Sequence, residues 1–145
     1  MFFQSLIRKP PLKRYSSICK RYLNVAIIGS GPSGFYCAKY LLQNIKEKNK
    51  IHITFIDALP TPYGLVRSGI APDHEDVRSV QNDFQNILNQ SNVSFYGNIQ
   101  MGHDLSINEL NNIFNIIILS YGAGKEQTLN IPGHDLKGIY KAGDF

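Results

Sequence analysis

An α/β fold with a central parallel sheet is the class this sequence predicts, and three observations predict it. Val25-Ala26-Ile27-Ile28, Ile51-His52-Ile53-Thr54-Phe55-Ile56 and Asn115-Ile116-Ile117-Ile118-Leu119-Ser120 are short, mostly apolar runs of the kind that form strands covered on both faces. Between the first two lies a glycine-rich turn, Gly29-Ser30-Gly31-Pro32-Ser33-Gly34, followed by a segment of helical periodicity. Alternation of strand and helix sets successive strands parallel, because the crossover returns the chain to the same end of the sheet.

The elements follow in order. The first helix is expected over about Pro32 to Lys46. Pro32 is tolerated in the first turn, where its missing N–H has no helical partner. Phe35, Ala38, Leu41, Leu42 and Ile45 give one apolar face. Lys46-Glu47-Lys48-Asn49-Lys50 is a solvated turn into the second strand. Residues 60–74 hold three prolines and two glycines, which predicts a shaped loop that is neither helix nor strand. Leu65, Val66 and Ile70 make that loop partly apolar, as a wall against a flat ring would be. Asp73 and Asp76 open the next helix in a near capping box, and Val77, Val80, Phe84 and Ile87 or Leu88 form its buried face. Val93–Tyr96 reads as a short strand, Gly97-Asn98 as a turn, and Ile99-Gln100-Met101 as a second extended piece. Ser106-Ile107-Asn108-Glu109 is a full capping box, opening a helix of about two turns. The 115–120 run is expected to be fully buried, and Tyr121-Gly122-Ala123-Gly124 breaks it at its carboxyl end, where α/β folds place ligands.

The first strand, glycine turn, helix and second strand, with Asp57 at that strand's carboxyl end, form the layout of a nucleotide-binding βαβ unit. Gly29 permits the tight turn, Gly31 the close approach of backbone to a pyrophosphate, and Gly34 the packing of helix on sheet. The helix N-terminus presents N–H groups and a partial positive charge to the phosphates. Asp57 stands 23 residues after Gly34, where it can accept hydrogen bonds from a ribose. A bare glycine fingerprint is weak evidence; joined to both strands, the helix and the acid, it indicates a dinucleotide site.

Residues 1–24 differ in kind. They carry Arg8, Lys9, Lys13, Arg14, Lys20 and Arg21, three serines and no acid, and no apolar run long enough for a secretory signal or a membrane span. That composition predicts a mitochondrial presequence, disordered, ahead of a domain over 25–145. The whole chain has 15 basic and 11 acidic residues. Setting the six leader cations aside leaves 9 against 11, so the basicity is not a nucleic-acid footprint. Cys19 and Cys37 suggest no disulfide framework, and Cys37 reads as a small core residue. His52, His103 and His134 show no paired spacing with the cysteines, so no metal is expected.

Several motifs together resemble the mitochondrial adrenodoxin/ferredoxin–NADP reductase family. They are Gly29-Ser30-Gly31-Pro32-Ser33-Gly34-Phe35-Tyr36, Tyr63-Gly64-Leu65-Val66-Arg67, Gly69-Ile70-Ala71-Pro72-Asp73-His74, Leu119-Ser120-Tyr121-Gly122-Ala123 and Ile131-Pro132-Gly133. The resemblance runs from about residue 25 to the end. Departures are Asp57 for the usual Glu, Tyr63 for Phe, Ser68 for an aromatic and Glu75 for Pro. The resemblance implies a Rossmann-like FAD-binding domain whose flavin, reduced by NADPH as cosubstrate, passes single electrons to a [2Fe–2S] ferredoxin in mitochondria. It implies that Gly29, Gly31, Ser33 and Gly34 hold the pyrophosphate and Asp57 the adenosine ribose. Gly64 and Leu65 would lie against the flavin, Met101 would contact the cofactor, and Gly122 would let the chain pass close to it. His74 matches a histidine near the isoalloxazine that would help couple proton and electron movement; its plainer role is a helix-start residue satisfied by Asp73 or Asp76. Arg67 has no local assignment. The family carries a second βαβ unit for NADPH, so the chain is expected to be truncated before the NADP-binding domain. The resemblance suits the matrix, with room for peripheral contact with the inner membrane. The alternative is a non-catalytic fragment retaining at most weak FAD binding; an NAD-dependent dehydrogenase is disfavoured because the Ala71-Pro72-Asp73-His74 block has no role there.

Overall fold

A computed structural model of the chain describes residues 22–45, 47, 50–69, 75–123 and 129–140. Residues 1–21 of the expected 1–24 presequence and the Ile70–His74 block lie outside the described residues, and with them His74 and the cap at Asp73; Leu23 and Asn24, at the end of that expected leader, belong instead to β1. The element order is β1 (Leu23–Ile28), α1 (Pro32–Asn44), β2 (Ile51–Ile56), α2 (Leu65–Ser68), α3 (Glu75–Leu88), β3 (Val93–Tyr96), α4 (Ile107–Asn111) and β4 (Ile116–Leu119). The four strands form one sheet in the order β3-β2-β1-β4, and every pairing is parallel.

Strand alternation sends side chains to two separate cores. On one face Val25, Ile27, Ile51, Ile53 and Phe55 pack with Phe35, Ala38 and Leu42 of α1 and Phe84 and Ile87 of α3. At its centre Phe35 lies between Phe55 and Phe84, with both centroid separations 4.5 Å and interplanar angles of 26° and 11°. On the other face Ala26, Ile28 and Ile56 meet Leu110 of α4, with Ile99, Met101, Leu105 and Phe114 around them.

Several expectations need correction. The loop over 60–74 contains a short helix, α2: Leu-Val-Arg carries no helix breaker, and Val66 is buried while its carbonyl accepts from the Gln81 amide at 2.8 Å. The extended piece over Ile99–Met101 makes no regular strand: Ile99 N–H donates to the Asp57 carbonyl, and from Gln100 onward the backbone groups are spent on a tight turn. Gln100 N–H donates to the Asp104 carboxylate, Asp104 N–H to the Gln100 carbonyl, and Gly102 N–H to the Leu105 carbonyl; Met101 makes only an isolated bridge to Leu105. β4 is not fully buried. It pairs with β1 alone, and with no further strand beside it among the described residues, Ile116 and Leu119 are 41% and 57% exposed. Cys37 is half-buried rather than a core residue, since it stands beside the apolar stripe of α1. The capping box of α4 is present in full, though the helix is only five residues long.

Two predictions follow from this packing. Phe35→Ala removes the middle ring of the stack and is expected to cost about 3–5 kcal/mol, read as a lower urea midpoint at unchanged slope. His52 is half-buried on β2, its Nε2 3.1 Å from Ser94 Oγ, and burial lowers its pKa below the ordinary 6.5. The unfolded chain therefore takes up the proton first, so stability is complete above the unfolded value and falls as pH drops below it. His52→Gln is expected to flatten that part of the stability–pH curve; an identical slope would show that His52 contributes nothing to it.

Candidate functional site

The site lies along the carboxyl ends of the strands. β1 is joined through α1 to β2 on one side, while β4, on its other side, is reached from β3 by crossing back over the sheet. In such sheets ligands bind in the crevice outside the carboxyl ends of the strands, at the point where the order reverses. There the chain puts the 29–34 turn after β1, Asp57 after β2 and Ser120-Tyr121-Gly122 after β4.

Two glycines make the turn possible. Gly29 has φ +101, and a Cβ there would stand 2.5 Å from the Ser120 carbonyl oxygen. A Cβ on Gly34 would stand 2.5 Å from the Gly29 carbonyl oxygen and 2.9 Å from Ser120 Oγ. Three backbone segments thus meet with no room for a side chain. Ser120 ties them together: its N–H donates to the Ile28 carbonyl at 2.7 Å, and its hydroxyl lies 3.1 Å from that oxygen and 3.0 Å from the Gly29 carbonyl oxygen.

The first turn of α1 is differently built. Its N-cap is Gly31, which supplies no side-chain cap, and no acidic residue occupies the first turn. A Cβ on Gly31 would meet nothing within 4 Å. The helix therefore begins with N–H groups that have no intrahelical acceptor, beside open space. Ser33 is exposed in this turn. Such an end favours an anion, through its N–H donors and the helix dipole.

Asp57 faces this turn. Its Oδ2 accepts from Ser30 N–H at 2.6 Å and from the Ser30 hydroxyl at 2.5 Å, while its Oδ1 accepts from Leu59 N–H at 2.9 Å. Ser30 itself is fully buried, and its carbonyl accepts from Tyr63 N–H at 2.9 Å.

Through that bond the 60s loop is drawn over the turn. Tyr63 has φ +90, unusual for a bulky residue. Its ring is buried against Phe35 and Phe84, and its hydroxyl donates to Gln85 Oε1 of α3 at 2.6 Å. Burial raises the Tyr63 pKa, against an opposing effect of Arg67, so the phenol keeps its proton. The Arg67 guanidinium lies 5.4 Å from the Tyr63 ring centroid, which gives that arginine a partner inside the chain. Gly64, at φ +52, passes the turn so closely that a Cβ would be 3.4 Å from Gly31 Cα. Leu65 beside it is 76% exposed.

The structure therefore brings Gly29, Gly31, Ser33, Gly34, Asp57 and Gly64 together at the turn after β1, with Leu65 next to Gly64 in sequence. Gly122, at φ +73, is exposed two residues beyond Ser120. Met101 is half-buried in the core on the face of the sheet opposite α1, against Ala26, Ile28 and Ile56. Sequence reasoning missed Ser30, Tyr63 and Ser120. For Ser30 the signal available was a small hydroxyl residue between two glycines of the turn; Tyr63 and Ser120 carried none of that kind. Among the described residues no group of histidine, cysteine and acidic side chains could hold a metal ion, and no helix is long and apolar enough to cross a membrane.

The chain has relatives of known name. It is 45% identical over 131 residues to the mitochondrial NADPH:adrenodoxin oxidoreductase of Arabidopsis thaliana, covering 90% of this chain and 26% of that protein. The human protein of the same name is 35% identical over 144 residues, covering 95% of this chain and 28% of its own length. Among solved structures, FprA of Mycobacterium tuberculosis in complex with NADPH superimposes with a TM-score of 0.74 at 37% identity, over 82% of this chain and 27% of that one. No protein-family model matches the chain. The chain thus spans about a quarter of the length of the relatives it matches.

Gly29→Ala places a methyl group against the Ser120 carbonyl at a positive φ. It is expected to cost about 2–5 kcal/mol, measured by chemical denaturation, whereas Gly31→Ala should stay within about 1 kcal/mol of the parent.

Proposed function

We propose that this chain, a homologue of the N-terminal FAD-binding part of the NADPH:adrenodoxin oxidoreductases, is the FAD-binding domain of a mitochondrial NADPH-dependent ferredoxin reductase. The observation that carries the reading is the uncapped first turn of α1 beside open space at Gly31, with the Asp57 carboxylate at the same turn. These residues fit the adenosine diphosphate half of FAD. The N–H groups of Gly31, Ser33 and Gly34 are the donors a diphosphate requires, and nothing crowds its approach at Gly31. Asp57 suits the hydroxyls of the adenosine ribose, and Gly29 keeps the turn tight enough to present both. Gly64 and Leu65 would line the flavin side, with Gly122 and Met101 as further contacts, and His74 would help couple proton to electron movement.

When bound, FAD supplies the redox chemistry, accepting hydride from NADPH and releasing single electrons to a [2Fe–2S] ferredoxin. The chain's own residues bind and orient it. The apolar exposure of Leu65 suits shielding of a flat ring from water. The boundary expected at residue 25 is moved to Leu23, where β1 begins; the residues before it are assigned to a mitochondrial presequence that delivers the domain to the matrix, consistent with relatives named mitochondrial.

The test is flavin retention. The full chain, mixed with FAD and passed through gel filtration, is expected to emerge yellow. Gly31→Ala should keep its fold, as judged by circular dichroism, and lose affinity for FAD about tenfold or more, because a methyl group then stands where the diphosphate approaches. A folded, colourless parent chain would overturn the assignment.

A further inference from the structure

We propose that Ser30 is a positioning residue that aims the Asp57 carboxylate at the sugar of the bound nucleotide. The inference rests on the flavin-nucleotide reading above and adds to it a residue that would not itself touch the ligand. Ser30 is fully buried, and both of its donors go to the same oxygen: N–H and hydroxyl reach Asp57 Oδ2 at 2.6 and 2.5 Å. Leu59 N–H holds Oδ1 at 2.9 Å on the exposed side. A carboxylate has about four acceptor positions. Three donors fix its plane and leave the remaining capacity toward the crevice. Hydrogen bonds to a charged acceptor are the strong ones, so the side chain is held in one rotamer before any ligand arrives. The carbonyl of Ser30 is held in turn by Tyr63 N–H, so the serine cannot drift from the turn. Aspartate is one methylene shorter than glutamate, which keeps its carboxylate within reach of the Ser30 hydroxyl. Ser30→Ala leaves the Ser30 and Leu59 N–H bonds in place but removes the hydroxyl donor from Oδ2, which loosens the hold on the plane of the carboxylate.

The experiment compares ADP with 2′-deoxy-ADP on the full chain by calorimetry. The parent is expected to prefer ADP. Ser30→Ala should weaken ADP about tenfold and 2′-deoxy-ADP by less than about threefold, so the preference shrinks; Ser30→Thr, which restores a hydroxyl, should recover it. If Ser30→Ala does not fold, Ser30→Cys, a near-isosteric weak donor, carries the same comparison. Equal loss for both nucleotides would mean general damage to the turn and overturn the proposal. A parent that binds both nucleotides equally would overturn it while leaving the flavin-nucleotide reading standing. A folded parent that binds neither would overturn both.

Discussion

The architecture depends on one steric constraint: three backbone segments, at Gly29, Gly34 and Ser120, meet at a point where no side chain fits. This close approach fixes the distance between the end of β1 and the start of α1. Phe35 follows Gly34 directly and enters the centre of the aromatic stack, so the helix can dock only if the glycine contact is made. The Ser120 hydroxyl, set against the Ile28 and Gly29 carbonyls, joins β4 to the same point. Core packing and crevice geometry are thus consequences of one contact. Large rings on one side of the sheet hold α1 down, and its uncapped N-terminus is carried to the strand ends.

A second layer of order is polar. Ser30 bridges Asp57 and Tyr63, linking the turn after β1 to the end of β2 and to the 60s loop. From α3, Gln85 takes the Tyr63 hydroxyl and Gln81 donates to the Val66 carbonyl, so the loop is gripped from outside as well. Every buried side-chain polar atom among the described residues has a partner, as a buried polar network requires if it is to specify one arrangement.

How much of this could be read from the chain depends on range. β2 and the α4 capping box were legible because strand composition and a four-residue cap are local signals, and β1 and α1 differed only at their ends. The glycine turn was legible as geometry, since Gly29 and Gly34 are required by contacts that any such unit makes. What escaped needs partners far along the chain. Ser120 meets Gly29 across 91 residues, and nothing in Leu-Ser-Tyr-Gly announces that. α2 is short and stands on Val66 burial and the Gln81 amide. The exposure of β4 escaped for another reason: Ile116–Leu119 has the composition of an inner strand, and composition does not state how many neighbours a strand has.

Tyr63 bears on how firmly the loop is held over the turn. A bulky residue at positive φ costs on the order of 1–3 kcal/mol, and burying its ring contributes on the order of 1.5–3 kcal/mol, with aromatic contacts adding to that. Burial therefore offsets the backbone cost. The Tyr63 N–H is bonded to the Ser30 carbonyl and its hydroxyl to Gln85, so this one residue pins the chain directly before Gly64, where the loop overhangs the turn.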